Sequence, residues 1–97
     1  MGAFMIIQAK ITDPEQFMEY AKRAPELIAR FGGRYRVMRG QAVQLEGAED
    51  TRKIVVSEWP SMEAAREFWN SPDYQALKEM REGAAEIDVH LVEITGD

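Results

Sequence analysis

The chain has 97 residues, 45% hydrophobic and 30% charged, with 12 basic against 17 acidic side chains, a single histidine and no cysteine. A chain of this size makes one domain (residues 1–97) around one modest core, and its residue counts exclude a disulfide framework, a thiol nucleophile, a thiolate metal site and a multi-histidine metal centre within one chain. The net charge of −5 disfavours a nucleic-acid partner held through its phosphates, and neither an apolar run of about 18 residues nor a secretory N-terminus is present, so a cytoplasmic protein with no membrane partner, metal or cofactor is expected.

The elements read in chain order as two copies of strand–helix–strand. Residues Ala3 to Ile11 form the first strand: Met5, Ile7, Ala9 and Ile11 alternate with Phe4, Ile6, Gln8 and Lys10. Apolar residues on both faces suit a central strand. Asp13 and Pro14 then start a helix as cap and first residue, with Gln16 in a capping-box position. Phe17, Ala21, Ala24, Ile28 and Phe31 make its buried stripe, and Glu19/Arg23 and Glu26/Arg30 are expected surface pairs. Pro25 predicts a kink or a brief break, and Gly32 a left-handed end.

Arg34 to Arg39 reads as a second strand, with Tyr35 and Val37 on one face and Arg36 and Met38 on the other, and Ala42 to Glu46 as its extension or return. Lys53 to Trp59 is a β-branched third strand. Ser61 caps a helix, and Ser71-Pro72 repeats the start signal for a second helical segment running to about Glu82. The last strand is Ile87 to Ile94. The resulting β-α-β-β-α-β order is α+β and ferredoxin-like: an antiparallel sheet with both helices on one face.

Parity then puts Met5, Ile7, Ala9, Tyr35, Val37, Val55, Ile87, Val89 and Leu91 under the helices. It leaves Phe4, Ile6, Gln8, Met38, Ile54, Val56, Glu58, His90, Val92 and Ile94 on the bare face. That face is too apolar for water, which predicts a homodimer joined through it, unless a bulge swaps faces along part of a strand.

Chemistry-bearing residues are few. Glu58, with Gln8 on its face, reads either as a general base raised by burial or as a strand-end carboxylate paired with Arg36 or Arg39. His90, the single histidine, reads as a catalyst or, more simply, as a satisfied sheet or interface residue. Arg34, Arg36 and Arg39 form a basic run that parity splits between faces. Phe68, Trp69 and Tyr74 either wall a small-molecule pocket or fill the core. No phosphate loop, nucleophile elbow or metal-ligand spacing occurs.

Several stretches together carry a family resemblance: Thr12-Asp13-Pro14-Glu15, Arg30-Phe31-Gly32-Gly33-Arg34-Tyr35, Leu45-Glu46-Gly47, Glu58-Trp59-Pro60-Ser61-Met62-Glu63-Ala64-Ala65, Trp69-Asn70-Ser71-Pro72-Asp73-Tyr74, and Arg81. The chain resembles the domain-of-unknown-function 1330 family of the dimeric α/β-barrel superfamily over nearly its whole length. It departs at Arg39-Gly40-Gln41, where the family usually has Arg-Gly-Gly, and at Trp59, where Phe is common. The resemblance implies a homodimer joined through its sheets and supplies no reaction. It points to Glu46, Glu58, Ser61, Tyr74 and Arg81 as positions to inspect, although Ser61 is already explained as a cap and Glu46 reads equally as a brace for Gly47 and its loop.

Three readings follow. The chain is a homodimer of unassigned activity binding a small organic molecule; or a cofactor-independent enzyme, of the monooxygenase, isomerase or decarboxylase type, with Glu58 or His90 shuttling protons; or an assembly module without a ligand. A cavity with converging polar groups would separate the first two from the third.

Overall fold

The computed structural model describes residues 1–96. Strand β1 (Ala3–Ile11), helix α1 (Pro14–Arg30), strands β2 (Arg34–Gly40) and β3 (Lys53–Trp59), helices α2 (Met62–Asn70) and α3 (Pro72–Glu79) and strand β4 (Ala85–Glu93) follow one another along the chain. The strands form one four-stranded sheet in the order β2-β3-β1-β4, every pair antiparallel, which is the ferredoxin-like arrangement. β1 lies inside the sheet, and this accounts for its apolar residues on both faces. Among the described residues no helix is long and apolar enough to cross a membrane.

Local chemistry sets the helix ends. The Asp13 carboxylate accepts from the Gln16 amide at 3.2 Å, and Pro14 stands at the first helical turn. The Gln16 side chain does not complete a capping box: its Nε2 donates to the Met80 and Glu82 carbonyls, fastening the start of α1 to the turn after α3. The Thr12 and Asp13 amides reinforce that junction by donating to the Ala84 carbonyl. α1 runs unbroken through Pro25. At its other end Gly32, at φ +92°, donates to the Ala29 carbonyl and Gly33 to that of Ile28, the paired bonds of a Schellman end. Ser61 and Ser71 cap α2 and α3, as their sequence signals require. The expected surface pairs on α1 give way to Glu19–Lys22 at 3.7 Å and to Arg30–Asp73 at 2.8 Å, the latter bridging α1 to α3.

The core is aromatic. Trp59, Phe68 and Tyr74 are fully buried in a continuous stack, with centroids 4.8 Å apart for Trp59–Phe68 and 4.3 Å for Phe68–Tyr74. The Trp59 indole donates to the buried Ser57 hydroxyl at 2.9 Å, so neither polar group is stranded. Leu27 joins Ala24 and Ile28 in this core, whereas Phe17 and Phe31 are half-buried.

Two expectations for the middle of the chain are corrected. Tyr35 pairs with Ser57 but Val37 pairs with Val56, so one extra residue, Arg36, is inserted between them. From there the faces swap: Val37 joins Val56 on the bare face, while Met38 turns to the helix side and takes part in its cavity. A second irregularity follows at Arg39, whose φ of 53° is left-handed. Residues Ala42 to Glu46 are not a strand. β3 is already paired on both sides, and Val43 and Leu45 are exposed in a loop closed by Gln44, which bonds Ala48, Glu46 and Asp50.

Candidate functional site

The two faces of the sheet differ in kind. On the bare face, successive rows across β3, β1 and β4 are Glu58–Phe4–Val92, Val56–Ile6–His90 and Ile54–Gln8–Asp88. Val37 and Val92 are 37% and 45% exposed, and the other apolar members are half-buried with no helix above them. Charges close both ends of the patch. Glu58 is held by Arg34 at 3.4 Å and Arg36 at 3.6 Å, while Arg52 bridges Asp50 and Asp88 at 2.9 and 2.7 Å. The Arg52 side-chain and backbone donors hold the Asp50 carboxyl down at about 2.

On the helix side a cavity of about 240 Å³ lies between α1 and the sheet. α1 contributes the short side chains Ala21 and Ala24 to its lining. Met5, Ile7 and Val55 form its floor, Tyr35 and Met38 flank it from β2, and Phe68 and Tyr74 close one end.

The polar groups of the cavity converge at Tyr20, Tyr74 and Arg81. The two phenol oxygens are 2.9 Å apart, and Arg81 Nη2 donates to the Tyr74 oxygen at 3.3 Å. The guanidinium also lies over the Tyr20 ring, 5.1 Å from its centroid. Arg81 Nε is buried and has no hydrogen-bond partner among the described residues. Burial first, then the neighbouring Tyr74, pushes the Tyr20 phenol well above its ordinary value; burial likewise lifts Tyr35 to about 12. Both stay protonated. Burial opposes the Arg81 charge, but the Tyr74 and Tyr20 hydroxyls together outweigh it and hold Arg81 above its usual value. Lys22, Arg39 and Lys53 complete the charged lining, and no carboxylate or imidazole lines the cavity among the described residues.

The residues singled out from the sequence are thus divided. Tyr74 and Arg81 meet in the cavity, and Trp69 packs behind Tyr74 with centroids 5.2 Å apart and Lys78 over its ring. Glu58, Gln8 and His90 are on the opposite face: Glu58 in its arginine pairs, Gln8 bonded to Asp50, His90 exposed on the far side of β1 from Glu58. Ser61 is occupied as a cap, and Glu46 is exposed in the loop with its carbonyl accepting from Gln44. Tyr20 went unnoticed in the sequence although it sits three residues after Phe17 and four before Ala24, on the buried stripe. Ser57 was also legible, as the polar member of the inward parity Val55, Ser57, Trp59. No group of three or more potential metal ligands is gathered among the described residues.

Residues 2–95 match the family described as Domain of unknown function (DUF1330). No curated protein matches the chain. Among solved structures, the chain is similar to RPA0582, a protein of unknown function from Rhodopseudomonas palustris, with 20% identity, TM-score 0.77, and 99% of this chain and 84% of that one covered. It is also similar to SnoaB, a cofactor-independent oxygenase from Streptomyces nogalater, with 13% identity, TM-score 0.69, and coverage of 99% and 95%. A third is a dimeric ferredoxin-like protein of unknown function from Jannaschia sp. CCS1, with 12% identity, TM-score 0.70, and coverage of 97% and 100%. At these identities the likeness is one of fold.

Proposed function

The chain belongs to the Domain of unknown function (DUF1330) family, and on that footing we propose that it acts as a single-domain homodimer binding a small organic molecule in the cavity beneath α1. The observation that carries the ligand reading is the cavity: about 240 Å³, apolar on floor and walls, with Tyr20, Tyr74 and Arg81 converging on it. A pure assembly module would have filled that space with side chains, since protein interiors close-pack. The volume falls below the roughly 300–1,000 Å³ typical of pockets for drug-sized ligands, which selects a compact molecule.

Glu58 and His90 stay outside this reading. Both face away from the cavity, so a proton shuttle through them would need a different site. SnoaB is a cofactor-independent oxygenase of this fold; in the present chain the cavity offers phenols, a guanidinium and amines, a set suited to holding a ligand's polar group.

The second copy is proposed on the apolar row Phe4, Ile6, Val37, Ile54, Val56 and Val92, whose charged ends give it the polar rim of an interface. A protein of similar fold described as dimeric supports a second copy. Light scattering at micromolar concentration should report twice 11.1 kDa; the single-chain mass would refute the dimer. For the ligand, a thermal-shift screen of small organic compounds tests the cavity. Compounds that stabilise the wild type should lose their effect in Ala21→Leu, which fills the space. Stabilisation equal in both proteins, or by no compound, would refute it.

A further inference from the structure

Building on the cavity as a ligand site, we infer that its ligand is a small organic anion whose carboxylate-like head is taken by Arg81 and the Tyr20 hydroxyl. The direction of the hydrogen bonds follows from who is able to donate. Arg81 has no acceptor, so at 3.3 Å the Tyr74 oxygen must receive its proton. Tyr74 is 1% exposed, and its own proton needs an interior partner; the Tyr20 oxygen, at 2.9 Å, supplies one. The opposite direction would strand that buried proton. Tyr74 therefore donates to Tyr20, and the Tyr20 proton is left for an acceptor on the cavity side, polarised by the cation at the head of the chain.

Charge gives a second, independent indication. Four cationic residues, Lys22, Arg39, Lys53 and Arg81, line the cavity, and no acidic side chain among the described residues does so, in a chain of net charge −5. Lys22 is shared with Glu19 on the surface, but Arg39, Lys53 and Arg81 make no ion pair among the described residues. A carboxylate accepts only, and so answers both the spare Tyr20 proton and the local charge. The apolar walls and small volume ask for an aryl or short branched alkyl tail behind it.

Calorimetric titration with three probes of one shape decides this: benzoate, benzamide and benzylamine, at matched pH and low salt. Benzoate should bind about ten-fold or more tightly than benzamide, with benzylamine not binding. Arg81→Met should abolish that preference, Tyr20→Phe should weaken benzoate several-fold more than benzamide, and Lys53→Gln, a change at an exposed residue, should weaken benzoate and flatten its salt dependence. Should Arg81→Met not fold, the wild-type probe series and Lys53→Gln decide alone. Benzamide binding as well as benzoate, or no benzoate binding in a protein that takes neutral compounds in the thermal-shift screen, overturns the anion while leaving the cavity reading intact. Failure of every compound in that screen removes the cavity reading itself.

Discussion

Tyr74→Phe isolates the hydroxyl chain from the packing around it. The ring keeps its contacts with Phe68 at 4.3 Å and Trp69 at 5.2 Å, so no cavity opens. What is lost is the acceptor for Arg81 at 3.3 Å and the partner of Tyr20 at 2.9 Å. A hydrogen bond to a charged group contributes about 1.5–3 kcal/mol, and the long Arg81 contact belongs at the lower end, so a loss of about 2 kcal/mol is expected. Tyr20→Phe leaves the Arg81 contact in place and strands only the Tyr74 proton, at about 1 kcal/mol. Because the Tyr20–Tyr74 bond is shared, the double variant should cost little more than Tyr74→Phe alone, falling short of the sum by about 1 kcal/mol. Urea unfolding of the four proteins at one protein concentration measures this, the concentration being fixed because assembly stabilises the fold. Additivity to within about 0.3 kcal/mol would refute the coupled chain.

Three further outcomes are expected. Gly33→Ala would place a Cβ 2.7 Å from Trp59 and 2.8 Å from Ile28, both buried, and should destabilise the fold by about 1–3 kcal/mol in urea; a change under about 0.5 kcal/mol would contradict that packing. Ile6→Lys puts a charge in the middle of the bare apolar row, and light scattering should show a folded monomer; an undisturbed dimer would mean a different interface. Burial raises the Tyr35 phenol to about 12 from its ordinary 10.0, so the fold favours the neutral form: this contribution is complete below pH 10 and is lost as pH rises toward 12, with Tyr20 acting in the same direction. Urea midpoints taken across that range should fall less steeply in Tyr35→Phe, and an unchanged slope would contradict the assignment.

What the sequence disclosed was local chemistry. Asp13-Pro14, Ser61 and Ser71-Pro72 announced helix starts because a side-chain oxygen three residues from an amide needs no distant partner. Alternation in β1, β3 and β4 placed their residues on the correct faces, and with them the bare apolar surface. β2 defeated alternation because the insertion at Arg36 is set by pairing with β3, which a single strand's pattern does not record; Val37 and Met38 exchanged faces as a result. Ala42 to Glu46 likewise read as an extension or return of β2, but these residues pair with no strand and lie in an exposed loop. Tyr74 was marked by its aromatic neighbours Phe68 and Trp69 as well as by a family likeness, and Arg81 by the likeness alone, while Tyr20, from a helix far away in the chain, completes their cluster through tertiary contact. Glu58 looked like chemistry in an apolar strand, yet its neighbours in space are Arg34 and Arg36, and the second of these was already a candidate partner in the sequence.

The central claim is that the ligand site is the cavity under α1 and not the opposite face. Methyl-labelled NMR tests it directly, because adjacent residues of β1 and β3 report on opposite sides of the same sheet. On titration with the most stabilising compound from the thermal-shift screen, the methyl signals of Ile7, Ala24 and Val55 should move. Those of Ile6, Val56 and Val92 should stay in place. Movement confined to Ile6, Val56 and Val92 would contradict the account.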